Sequence, residues 1–265
     1  MIALFLNNAS LYFDTLEILP DFVDLDKMLT QLVMIPKVVT LQTSQQSVVN
    51  VVALKSTLEI LPRLHGCLSS ALTLMDEPME LLETMIESLE CDEFRVIQEA
   101  VDRVIDPNSQ WNRSVRHMKI QGSFAVKAGI EAKLDLARAL YLSLIDGINN
   151  HVEEYQEQFH LSIKLHFSVS RGYHLLVQSS GTQDIPSIFE QRVKFSKSVA
   201  CTTKDISSLN LRSKECLNEI YQLSYGVVHQ LLDEIRPFVR RLYAMVESIS
   251  MLDMILRCYL INYDK

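Results

Sequence analysis

Between Ile163 and Asn210 the chain carries six basic side chains, Lys164, Arg171, Arg192, Lys194, Lys197 and Lys204, against three acidic ones, Asp184, Glu190 and Asp205. The whole protein has a formal charge of -8, so this stretch is +3 and the remainder -11. Cations gathered on one part of an acidic chain suit contact with phosphates, which attract Lys and Arg whatever the base sequence. The competing reading is a solvated charged surface with no ligand. Other candidate chemistry is thin. The seven histidines form no HExxH, and none pairs with cysteine at zinc-ligand spacing. Carboxylate neighbours such as Glu80 and Glu83, or Glu153 and Glu154, fall on the polar phase of helices and receive no catalytic role. None of the seven glycines precedes a lysine, so the phosphate-cradling GxxxxGK[ST] loop is missing.

Five cysteines, Cys67, Cys91, Cys201, Cys216 and Cys258, include no CxxC pair. An odd set in a chain of this length reads as reduced, packed thiols of a cytosolic or nuclear protein. Met1–Leu6 is apolar but lacks a basic n-region, and no apolar run approaches the ~20 residues of a membrane span. The expectation is a soluble intracellular protein without metal.

The elements that must position the cations are long. Only 7 Gly and 7 Pro are spread over 265 residues that are 48% apolar and 22% charged, a composition that favours helices over a β-sandwich. Helices are expected over Asp24–Ile35, Ser44–Leu61 with Ser44 as N-cap and Pro62 as the stop, Pro78–Leu89, and Asp92–Ile105. The stripe Val126, Ile130, Leu134, Ala137, Tyr141, Ile145, Ile148, Val152, Tyr155, Phe159 predicts one helix from Phe124 of about 36 residues. A second stripe from Leu217 to Ile235 predicts a helix running from near Asp205 to Arg236-Pro237. Asp253 falls on the apolar stripe Val246, Ile249, Leu256, Leu260 and is expected to be a buried carboxylate with structural donors.

Between the long helices the period changes to two. Ile163, Leu165, Phe167 and Val169 alternate with polar residues, and after Arg171-Gly172 so do Tyr173, Leu175 and Val177, which predicts a β-hairpin. Val193, Phe195, Val199 and Cys201 can add a third strand. Lys164 and Lys194 take the polar phase and are expected on the exposed face. His166 and His174 can face one another across the hairpin, each in solvent. The fold class is therefore mainly α: a helical core bundle with two long antiparallel helices capped by a small antiparallel β-sheet.

At this point the sequence resembles the MutS family of DNA mismatch and recombination proteins. The run Val126-Lys-Ala-Gly-Ile-Glu-Ala-Lys-Leu-Asp-Leu-Ala-Arg138 resembles the start of its lever helix. Phe167 followed by Gly172-Tyr173-His174-Leu175 is similar to its clamp, and Phe189 to Asn210 to the segment returning from it. Met251-Leu-Asp-Met-Ile255 resembles the end of the returning lever. Two features, Leu32-Val-Met-Ile-Pro-Lys37 with Ser250–Met254 and the hairpin Phe167–Tyr173, are most similar to the meiotic, fourth eukaryotic homologue. The chain departs from the clamp pattern at Lys197 and Val199.

The resemblance implies a helical core over 1–123, an outgoing lever helix over 124–160, a β clamp over 161–204 and returning lever helices over 205–265. The ATPase and mismatch-binding domains are expected to be absent, so ATP and Mg, cofactors of the full-length family, have no site here and the segment is not an enzyme. The implied partners are double-stranded or junction DNA and a second MutS homologue as heterodimer partner, in the nucleus, with Lys164, Arg171, Arg192, Lys194, Lys197 and Lys204 on DNA. The alternative is a helical scaffold or adaptor that binds protein and has no DNA role.

Overall fold

A computed structural model describes residues 2–73, 79–112, 121–168, 170–178, 185–196 and 198–263. Lys197, Val169 and Pro78, all used in the sequence reading, lie outside the described residues. The chain divides into two compact units, one of residues 1–113, 125–127 and 225–265, the other of residues 114–124 and 128–224.

The first unit is helical: α1 (Ile2–Asn7), α2 (Ala9–Ile18), α3 (Leu25–Val33), α4 (Leu41–Leu72), α5 (Glu80–Leu89) and α6 (Asp92–Val104). It also contains the end of α8 (Lys204–Ile235) and α9 (Val239–Tyr263), separated by a 3-10 turn at Arg236–Phe238. Two boundaries differ from the expected ones. Helix α4 is capped by Thr40, whose hydroxyl accepts from the Thr43 N–H while the Thr43 hydroxyl accepts from the Thr40 N–H. Ser44 is a buried residue inside it. The helix also runs through Pro62 instead of ending there. An internal proline costs about 3 kcal/mol, and burial of Leu54, Leu58, Leu61, Leu64 and Leu68 on both sides of it offsets that cost. Lys55 is buried against this core, donating to the carbonyls of Pro107 at 3.0 Å and Ser109 at 3.3 Å and pairing with Glu59 at 3.0 Å.

Asp253 corrects the stripe reading. Its side chain is 45% exposed and accepts from Arg257 one turn on at 2.7 Å, so it is a surface ion pair and not a buried carboxylate.

The long outgoing helix is shorter than its apolar stripe. Val126 is used in an antiparallel bridge with Ile105, flanked by bonds from Asp106 N–H to the Ala125 carbonyl and from Lys127 N–H to the Val104 carbonyl, both 2.8 Å. Gly129 then takes φ +85, and α7 begins only at Ala132 and ends at Phe159.

In the second unit α7 packs with the first half of α8 and a four-stranded antiparallel sheet: β1 (Ile163–Ser168), β2 (Gly172–Gln178), β3 (Glu190–Lys194) and β4 (Ser198–Thr202), in the order β1-β2-β4-β3. The expected third strand is thus a second hairpin, closed by the Phe195 N–H on the Ser198 carbonyl at 2.8 Å. The core joins Ile148, Val152 and Tyr155 of α7 to Ile163, Leu175, Val177 and Cys201 of the sheet, Phe189 and Ile206. Arg138, buried on α7, donates to the Ser123 carbonyl at 3.0 Å and lies 5.5 Å from the Phe124 ring centre. Thr203 supplies the first cap of α8, its hydroxyl accepting from the Ile206 N–H, while the Tyr155 hydroxyl donates to Asp205 at 3.0 Å.

Candidate nucleic-acid interface

Strand pairing decides which cations can act together, because residues directly opposite in an antiparallel ladder project to the same face. One row runs Ile163, Val177, Val199, Lys194, and the next runs Lys164, Leu176, Ala200, Val193. Ile163 and Val177 belong to the core, so Lys194 projects from the core side of the sheet and Lys164 from the other. This corrects the expectation that both share one exposed face. The cause is a bulge. Glu190 pairs with Thr202 but Val193 with Ala200, so β3 holds one extra residue, with Gln191 at φ +51, and everything after it changes face. Both lysines are exposed nonetheless, Lys194 because every residue of the edge strand β3 is. Val193 and Phe195, from the run read as a third strand, are exposed too, Phe195 at 54%.

The two rows lie at the same end of the sheet, where β1 starts, β2 ends at Gln178, and the β3–β4 hairpin turns. Lys164 and Lys194 stand three strand spacings apart, about 14 Å, on either side of that end. Neither forms an ion pair or side-chain hydrogen bond among the described residues.

The other predicted cations are elsewhere. Arg171 sits in the β1–β2 turn, and β2, seven residues from Gly172 to Gln178, spans about 20 Å beyond it. Lys204 follows Thr202, so it too lies towards the Arg171 end; its side chain is 87% exposed and 4.0 Å from Glu190. Arg192 is spent on structure: its guanidinium donates to the carbonyls of Phe189 at 2.7 Å and Pro186 at 2.8 Å, holding the turn before β3. The structure therefore separates the predicted set, with Lys164 and Lys194 at one end and Arg171 and Lys204 at the other.

The histidine reading is corrected in part. His166 and His174 are directly opposite, with ring centres 5.0 Å apart, but His174 is buried. Its Nδ1 lies 3.0 Å from the Gly172 carbonyl.

Titration follows burial. Cys201 is pushed up to about 11 by desolvation in the core. Burial also raises Tyr141, whose hydroxyl is 3.1 Å from that of Tyr173, and Tyr221. These groups are neutral near pH 7 and offer no nucleophile. Among the described residues no cluster of His, Cys, Asp and Glu is arranged to hold a metal, and no helix is long and apolar enough to cross a membrane.

A cleft between the β1–β2 turn and α8 went unnoticed in the sequence. Lys214, which lines it, reads there as an ordinary polar-face lysine, and only the fold brings it near Arg171.

The matching family model is that of MutS family domain IV, over residues 129–219. The chain is 30% identical to MutS protein homolog 4 of Mus musculus over 255 residues, which is 95% of this chain and 26% of that protein. The figures for MutS protein homolog 4 of Homo sapiens are 30%, 95% and 27%, and for DNA mismatch repair protein MSH4 of Arabidopsis thaliana 29%, 96% and 33%. The chain spans about a quarter to a third of the length of these relatives. Helix α7, the four-stranded sheet and the first half of α8 fall within the residues matched by MutS family domain IV, and the chain is similar over nearly all its length to the proteins called MutS protein homolog 4.

Proposed function

We propose that this chain is the lever and clamp segment of a MutS homologue that grips duplex or recombination-junction DNA by its backbone, without reading bases, in meiotic recombination or mismatch repair. The carrying observation is the pair Lys164 and Lys194, unpaired among the described residues and straddling one end of the sheet. Point charges without a rigid fork of donors position a phosphate and carry no sequence information. Residues 129–219 and the shared length with MutS protein homolog 4 support the family part of the reading. On that reading the segment works in the nucleus beside a second MutS homologue, since one arm alone cannot enclose a duplex. The work is mechanical and electrostatic, with no catalytic role for its residues.

The test is retention of the full chain on immobilised duplex and four-way-junction DNA at about 50 and 200 mM salt. Binding at low salt that collapses at high salt, with no preference among duplex sequences, supports the proposal. Absence of salt-sensitive retention on either DNA would instead favour a protein-binding scaffold.

A further inference from the structure

The cleft between the β1–β2 turn and the first turns of α8 has a volume of about 400 Å³. Its walls carry Arg171, His174, Gln191, Asn210 and Lys214, and no carboxylate lines it. By contrast, Lys55, Arg95 and Arg257 each meet an acidic partner one helical turn away. Arg171 and Lys214 have no ion pair among the described residues, and no hydrogen bond from the guanidinium or ammonium. Two uncompensated cations therefore share one concavity.

The remaining polar groups are fixed in place. Asn210 donates to the Arg171 carbonyl and accepts from the Tyr173 N–H, both at 3.0 Å, which sets the turn that carries Arg171. A carbonyl can only accept, so the contact of His174 with Gly172 puts the proton on Nδ1 and leaves Nε2 over for another partner. Gln191 is held at φ +51, a left-handed conformation uncommon outside glycine, at a bulge that re-aims its side chain. Phe167 and Tyr173 also line the cleft, so it offers aromatic surface as well as charge.

We infer that this cleft binds a nucleoside 5′-phosphate, either free or as the phosphorylated end of a DNA strand. A phosphate monoester carries close to two negative charges at pH 7, matching the two free cations. The volume exceeds what a phosphate alone would fill and falls among pockets that take small organic ligands, and an aromatic wall suits a base. The site is distinct from the Lys164 and Lys194 end and does not depend on it.

The experiment titrates the full chain with thymidine 5′-monophosphate and with thymidine, following backbone amide shifts by NMR. Saturable shifts at Gly172, Tyr173 and Asn210 with the nucleotide, and none with the nucleoside, are expected. The double variant Arg171→Ala, Lys214→Ala, both exposed positions, should weaken nucleotide binding at least tenfold while keeping the wild-type melting temperature. A 5′-phosphorylated strand that outcompetes the unphosphorylated strand for the nucleotide identifies a DNA end as the source. Equal competition identifies the free nucleotide. Lack of a saturable response at millimolar nucleotide, equal binding of thymidine, or an unchanged affinity in the double variant would overturn the inference. None of these outcomes bears on duplex binding, so the two readings fail separately.

Discussion

Asn210 fills the space that a side chain on Gly172 would need. A Cβ built there would lie 2.8 Å from the Asn210 amide nitrogen, and Gly172 itself is at φ +70, where a Cβ is already unfavourable. The same amide bridges the Arg171 carbonyl and the Tyr173 N–H. One helix residue thus holds the turn that joins β1 to β2, and only glycine leaves it room.

Gly172→Ala should therefore destabilise the second unit by about 1–3 kcal/mol through clash and left-handed strain. Asn210→Ala should cost about 1–2 kcal/mol by leaving two backbone groups without a partner. Urea denaturation checks both. The double variant should lose less than the two costs added together, because removing Asn210 also removes the obstacle to the alanine.

Cys201 has a folded value of about 11 against an ordinary 9.0, and burial also raises Tyr141, Tyr155 and Tyr221. For an acid whose folded value is raised, the unfolded chain releases its proton first. The contribution is therefore whole below pH 9 and declines as pH climbs from 9 towards 11. Stability should be flat from pH 7 to 8.5 and then fall, read as Tm against pH. Cys201→Ser should shift the onset of that fall upwards, even though it lowers Tm at neutral pH.

Lys55 and Asp253 make a contrasting pair. Lys55→Met leaves the carbonyls of Pro107 and Ser109 without their donor in a buried site, and should cost about 2–3 kcal/mol. Asp253→Ala breaks only an exposed pair with Arg257 and should leave the denaturation midpoint unchanged. Calorimetry on the two variants would expose a wrong assignment of either residue.

The long-period features of this fold were legible in the sequence because they depend on burial averaged over many turns. The stripe from Leu217 to Ile235 lies in α8, and the alternation from Ile163 to Val177 forms β1 and β2. Single-residue events were not legible. Nothing in the residue pattern distinguishes Pro62 inside α4 from a proline that ends a helix, since the leucines on either side decide it. The bulge at Gln191 inserts one residue and so reverses the face of Lys194, which alternation alone cannot register. Asp253 looked buried because its spacing fits the stripe, yet it sits at the margin of that face, 45% exposed. The proposed cleft needs Arg171 and Lys214, far apart in sequence and joined only by the fold.

The grip of the Lys164 and Lys194 end on phosphates is tested most directly by the dependence of duplex affinity on salt. The slope of log K against log salt should become shallower by about one unit per lost contact, close to two for Lys164→Ala with Lys194→Ala. The loss should be the same on duplexes of unrelated sequence. A double variant whose slope and affinity equal those of the wild type would remove this end of the sheet from the DNA contact and contradict the account.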